Sequence, residues 1–168
     1  MQNSVMRVLG IDPGYDRVGV AIAEIIDRQD TIIFSACIET NPKDAFVERL
    51  GVIGASLEEI IVTHKPTAAC IETIFFQTNT KTAIRVAEAR GMMQYLLHTH
   101  QVTIHDIGPG QVKSSITGNG RATKQEVIKM TKLIAGIPNI ATKKDDEVDA
   151  IAIALAGIHI VNSPIPQA

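Results

Sequence analysis

Tryptophan is absent, and two tyrosines and four phenylalanines bring aromatics to only 4% of the 168 residues. So few rings argue against the stacked platforms that bind long single-stranded nucleic acid. Cysteine is scarce as well. Cys37 and Cys70 are too few for a disulfide framework or a cysteine-rich zinc centre. Both sit in apolar runs and read as buried core thiols of a reducing compartment. His98, His100 and His105 have no acidic or cysteine partner at ligand spacing and read as structural or surface residues. No apolar run reaches the roughly 18–20 residues of a membrane span, so no membrane partner is expected. Met1–Met6 has no basic segment leading into an apolar one, so no secretory signal is expected and the location is read as cytoplasmic. Residues 1–5 are read as an optional extension ahead of Met6. A strong charge is also missing: 16 basic and 18 acidic side chains leave a net −2.

That total conceals a distribution. Residues 1–80 carry a net −5, residues 81–144 a net +7 and residues 145–168 a net −4. A cationic middle block of this kind points to a polyanion, although a solvated helical face has the same signature. Apolar residues make up 45% and charged ones 20%, which fits one globular domain over residues 1–168.

The hydrophobic pattern predicts strands over Met6–Asp12, Val18–Ile26 and Thr31–Glu39, joined by short polar turns into an antiparallel meander. A helix is expected over Asp44–His64, with Asp44 as its cap or first-turn acid. Thr67–Glu72 reads as a buried strand, Asn79–His100 as a long helix with Ala83, Val86, Ala87, Gly91 and Leu96 near one face, and Gln101–Ile107 as a fifth strand. Helices follow over Gln111–Ile116 and Lys124–Ala135, then an amphipathic one over Asp145–Val161. This βββ-α-β-α-β-α-α-α order implies an α/β fold with a mixed sheet flanked by helices.

The acids fall at telling places on this scaffold. Asp12 ends the first strand, Glu72 ends the fourth, and Asp146 and Asp149 lie three apart on the last helix, sharing a face. A carboxylate at the end of a buried run is costly unless it has a partner. Convergent carboxylates repel until a cation or a proton relieves them. Oxygen-only ligands suit Mg²⁺ or Mn²⁺, and two such ions about 3.5–4 Å apart can activate water and stabilise the leaving oxygen of a phosphodiester. Taken alone, Asp12 could cap a turn and Asp146 could serve a helix dipole; Asp145 and Glu147 read as helix N-terminal acids only.

Five segments, in order, carry a resemblance. They are GIDPGYDRVGVAIAE (Gly10–Glu24), CIETIFFQTN (Cys70–Asn79), AEARG (Ala87–Gly91), GPGQVKSSITGNGRATKQEV (Gly108–Val127) and DDEVDAIAIAL (Asp145–Leu155). Together they resemble the RuvC family of Holliday-junction resolvases, from Met6 to about Ile160. The resemblance implies an RNase H-like fold with a five-stranded mixed sheet. It also implies a homodimer that binds four-way junction DNA and makes paired symmetric nicks in recombination and repair, and a branch-migration helicase complex as a further candidate partner. By motif position, Asp12, Glu72 and Asp149 match the metal-binding acids and Asp146 a fourth catalytic position that some members fill with His; all four are expected to hold Mg²⁺ (or Mn²⁺), two per site. Lys113 and Lys124 match basic residues near the scissile phosphate. Phe75 matches an aromatic that wedges into the junction core, with Phe76 beside it as the alternative. Asn79, Arg90, Gly118, Gly120 and Arg121 complete the candidate DNA contacts. Gly118 and Gly120 permit close approach of backbone to phosphate, and equally a plain turn.

Alternatives are another RNase H-like nuclease acting on RNA or simple branched DNA, and a non-catalytic junction-binding protein that would be expected to lack some of these acids. Actin-like ATPases and sugar kinases share the opening strand and turn but need a second such domain, of which the sequence holds no copy.

Overall fold

Alternation along the strands builds the sheet. The computed structural model describes residues 6–74, 80–137 and 140–162. β1 (Arg7–Asp12), β2 (Arg17–Ile26) and β3 (Gln29–Glu39) form the expected antiparallel meander. Asp27 and Arg28, between β2 and β3, both take positive φ (51° and 65°), the hand of turn that matches the twist of the flanking strands. β4 (Ala68–Glu72) pairs parallel with β1, and β5 (Thr103–Ile107) parallel with β4, giving the order β3-β2-β1-β4-β5.

Side chains alternate between two cores. Leu9, Ile11, Val20, Ile22, Ala69 and Ile71 pack on one face against α1 (Phe46–His64) and α2 (Thr80–Thr99). Val8, Ala21, Ala23, Ala68 and Cys70 pack on the other against α5 (Asp145–Asn162). α3 (Pro109–Thr117) and α4 (Lys124–Ala135) lie over α5, and a 3-10 turn (Ile140–Thr142) leads into it.

The α5 face of the sheet is made of small residues, and this lets the helix backbone press onto it. A Cβ on Gly10 would lie 2.4 Å from the Ala154 nitrogen, and one on Gly19 would lie 1.8 Å from the Asp146 carbonyl oxygen. Backbone cannot give way as a flexible side chain can. Gly19→Ala is therefore expected to lift the start of α5 and to cost about 1–3 kcal/mol, the usual penalty of an overpacked core. A thermal melt checks this; an unchanged midpoint would mean that α5 does not bear on β2.

Three expectations need correction, and the packing side of α2 is added to them. α5 is not amphipathic: every residue from Glu147 to Ile158 except Asp149 is buried, because α3 and α4 cover the side that the sheet leaves open. The small-residue stripe of α2, which the sequence leaves open between its own domain and a second copy, is exposed at Ala87 and Gly91, while α2 buries Ala89, Met93 and Leu97. Asp44 does not cap α1. It accepts from Asn41 Nδ2 at 3.0 Å in the preceding turn, while the Glu48 carboxylate takes the Ala45 N–H at 3.1 Å. Cys70 is buried as expected, but Cys37 is only half-buried, since β3 is an edge strand.

Candidate active site

Register brings the first two acids together. Val8, Gly10 and Asp12 alternate onto the α5 face of β1, as Ala68, Cys70 and Glu72 do on β4. β1 and β4 are parallel neighbours paired at Ile11 and Ile71, so Asp12 and Glu72 stand one residue further on, side by side at the same sheet end. The third and fourth acids arrive through β2. Asp12 pairs with Gly19, and the bare face of Gly19 receives the Asp146 carbonyl. Asp149 follows on the same side of α5, less than one turn later.

This packing loads the site electrostatically. Burial, joined by the charges of Glu72, Asp149 and Asp146, pushes the Asp12 carboxyl up to about 8, with Lys124 opposing. Burial and Asp149 raise Glu72, against Lys124. Burial also raises Asp149, with Asp145 and Asp146 adding to it and Lys124 again opposing. Lys124 Nζ lies 3.2 Å from Asp149 Oδ2 and 3.4 Å from Asp145 Oδ2. Burial pulls the Lys124 ammonium down, but these two carboxylates outweigh it and hold the group above the usual lysine range. Lys124 is the first residue of α4, set by a capping box in which the Glu126 carboxylate takes the Thr123 N–H at 2.7 Å.

Glu72, Lys113, Lys124 and Asp149 line a cleft of about 240 Å³ floored by Val112, Val127 and Ile153. Asp12 and Asp146 are not among its lining residues. Arg17 Nε stands 3.0 Å from Asp146 Oδ2, close enough for charge attraction. Its N–H is not aligned on that oxygen, which stays buried without a hydrogen-bond partner among the described residues. Also among the described residues, no three acidic, histidine or cysteine side chains meet at ligand distance of one point. The donor chemistry nevertheless fits a hard divalent cation: carboxylate oxygens from two strand ends and one helix turn, with the Asp146 Oδ2 buried and without a hydrogen bond among the described residues.

The remaining candidates divide. Arg90 is turned inward: its Nε donates to the Glu72 carbonyl at 3.2 Å and its Nη2 meets the Asp106 carboxylate, so it holds the end of β4 against β5. Gly118 stops α3 at φ 75°, the turn reading of that residue. Gly118, Gly120 and Arg121 are exposed in the α3–α4 loop, between Lys113 and Lys124. Phe75, Phe76 and Asn79 lie outside the described residues. Two lysines of the cationic block are spent internally, Lys143 on Glu147 at 2.6 Å and Lys144 on Glu39.

Three contributors were not singled out from the sequence. Arg17 reaches Asp146 because it shares the α5 face with Gly19, two residues on. Glu147 is no solvated helix-start acid: it is buried, accepts from Ser35 Oγ at 2.7 Å, and ties α5 to β3. Arg49, only 4% exposed, donates to the Tyr15 carbonyl at 3.0 Å and to Thr40 Oγ1 at 2.9 Å and pairs with Asp16. It thereby grips the turn between Asp12 and Arg17. Its sequence signal is a charge on the apolar stripe of α1 that continues through Ile53 and Leu57.

Known proteins match this chain over most of its length. The family model described as Crossover junction endodeoxyribonuclease RuvC matches residues 8–157. A crossover junction endodeoxyribonuclease RuvC of Brachyspira hyodysenteriae is 45% identical over 151 residues, 90% of this chain and 92% of that one. The structure of T. thermophilus RuvC in complex with Holliday junction substrate superposes with a TM-score of 0.87 at 30% identity, covering 93% of this chain and 94% of that one. The yeast mitochondrial Holliday junction resolvase, at 16% identity and a TM-score of 0.68, shares the fold. An RNase H-like mixed sheet that brings four acids to the start of one buried helix, in a sequence matched almost end to end, places this chain in the RuvC family of crossover junction endodeoxyribonucleases.

Proposed function

We infer that this protein is a metal-dependent endonuclease that resolves four-way DNA junctions by paired, symmetric nicks in recombination and repair. The observation that carries this is the juxtaposition of Asp12 and Glu72 on adjacent strand ends beneath the α5 turn that bears Asp146 and Asp149, with Lys113 and Lys124 beside them. The solved T. thermophilus relative with junction DNA supports the substrate.

Asp12, Glu72, Asp146 and Asp149 would hold Mg²⁺ (Mn²⁺ substituting), two ions per site. Bound there, the ions supply Lewis acidity and lower the pKa of water for in-line hydrolysis that leaves a 5′-phosphate and a 3′-hydroxyl. The chain's own groups do the rest. Lys113 and Lys124 place positive charge where a phosphodiester gains negative charge. Arg90 and Arg49 keep the ends of β4 and β1 in place. Gly118, Gly120 and Arg121 offer an exposed loop for the DNA backbone, and Phe75 or Phe76, with Asn79, would open the junction core.

Symmetric cutting needs two sites, hence a homodimer. α2 presents Ile84 and Tyr95, 52% and 66% exposed, on the same outward side as Ala87 and Gly91, a face that a second copy would cover. A branch-migration helicase complex would deliver the junction, in the cytoplasm. No described helix is long and apolar enough to cross a membrane.

The test is Mg²⁺-dependent cleavage of a mobile four-way junction beside a flap and an RNA–DNA hybrid, with cuts mapped on all four strands. Paired cuts at symmetric positions in opposite strands of the junction are expected. Equal cutting of the flap or the hybrid would replace this reading with that of a general RNase H-like nuclease.

A further inference from the structure

Asp145 stands outside the set of four acids, yet it shares Lys124 with one of them. Asp145 and Asp149 are four residues apart, so they stack on one stripe of α5. The Lys124 ammonium bridges them, 3.4 Å from Asp145 Oδ2 and 3.2 Å from Asp149 Oδ2. The two ends of the bridge differ. The Asp145 side chain is 76% exposed and the Asp149 side chain 37%, so one carboxylate sits at the rim and the other inside. The capping box at Thr123 and Glu126 fixes the backbone from which Lys124 reaches, leaving the flexible four-carbon stem to pivot between them.

We propose that Lys124 is a built-in cation that competes with the divalent metal for Asp149, and that Asp145 is the positioning residue that receives it at the rim when the metal binds. This rests on the reading of Asp149 as a metal ligand. A bare ammonium beside Asp149 neutralises one of the mutually repelling carboxylates, and a divalent ion there must displace it. Without Asp145, the carboxylates left to the displaced ammonium are Glu72 and Asp12, which the metal claims in the same reading. With Asp145, it moves a few ångströms along the same helix stripe and stays beside the cleft, where the phosphate of the substrate lies in the proposed mechanism. Asp145 thus does two things: it eases metal entry, and it keeps Lys124 in reach of the chemistry.

A double-substitution cycle read by calorimetric titration of Mn²⁺ into DNA-free protein tests this without using cleavage. Lys124→Gln should tighten metal binding roughly three- to tenfold, because the competitor is gone. Asp145→Asn should weaken it by a similar factor in the presence of Lys124, and Asp145→Glu should restore it. In the Lys124→Gln background, Asp145→Asn should change nothing. An equal weakening in both backgrounds would show that Asp145 is only a surface charge that attracts cations, and would overturn the proposal. So would unchanged affinity on Asp145→Asn alone. Both side chains are at least half exposed, so folding is expected to survive, and a thermal melt of each protein confirms it. Failure of the unsubstituted protein to bind Mn²⁺ at all would overturn the metal-site reading itself, a result distinct from binding that ignores Asp145.

Discussion

Asp149→Asn will bind a four-way junction in Mg²⁺ and leave it uncut, with a loss on the order of 10³-fold or more in the rate of cleavage. The substitution keeps the volume and removes one charge. α5 is buried around this residue, so the backbone has no freedom to bring another acid into its place. The nearest acid on the stripe, Asp145, points from the exposed first turn and already meets Lys124. Lys124 loses its inner partner in the same stroke, so the proposed metal site and the lysine proposed to face the phosphate are disturbed together. In the proposed reading junction binding has a different source, the exposed loop at Gly118–Arg121 with the cationic residues beside it, and is expected to lose nothing when one negative charge is removed. Gel-shift binding and single-turnover cleavage on the same junction separate the two effects. Cleavage at the rate of the unsubstituted protein would remove Asp149 from the site.

Asp12→Asn should likewise abolish cleavage, but it should also stabilise the metal-free fold. The Asp12 carboxyl keeps its proton up to about pH 8 in the native protein, because burial and three neighbouring acids disfavour its charge. In the unfolded chain the same group loses its proton near 3.8. Between those values the native state binds more protons than the unfolded state, so stability in chelator falls as pH rises from about 4 to 8. At neutral pH the accumulated cost is on the order of 2–4 kcal/mol. Asparagine removes the titration, so the variant should melt several degrees higher near pH 7 in EDTA and show a flatter dependence on pH. At pH 4 the two proteins should melt close together. A lower melting point for Asp12→Asn across the whole range would mean that this carboxylate stabilises the fold instead of straining it. Such a trade between stability and function is expected where like charges are held together for a ligand.

Asp12 and Glu72 show what could be read in advance. Both end apolar runs, and an unpartnered acid at such a place has a short list of explanations. Strands, helices and their order were also legible, since periods of 2 and 3.6 are local properties of the chain. Surroundings were not. The outer side of α5 holds alanines that suit solvent or core equally, and only the arrival of α3 and α4 buries them. The stripe of small residues on α2 suited a neighbour within the domain or a second copy equally, and only the fold turns Ala89, Met93 and Leu97 inward instead. Arg90 looked like a DNA contact by motif position, yet its guanidinium is engaged with Glu72 and Asp106 from two different strands.

By itself, then, the sequence determined the element order, the parity that sends Asp12 and Glu72 to the same face, and the identity of the four acids, because each follows from spacing along one chain. The tertiary structure alone decided which cation meets which acid. Lys124 with Asp145 and Asp149, Arg17 with Asp146, Lys144 with Glu39 and Arg49 with Asp16 pair elements that pack together only after folding. It also set how strongly the acids strain one another. Charge coupling depends on distance and burial, and here both are set by two glycines that let α5 rest directly on the sheet.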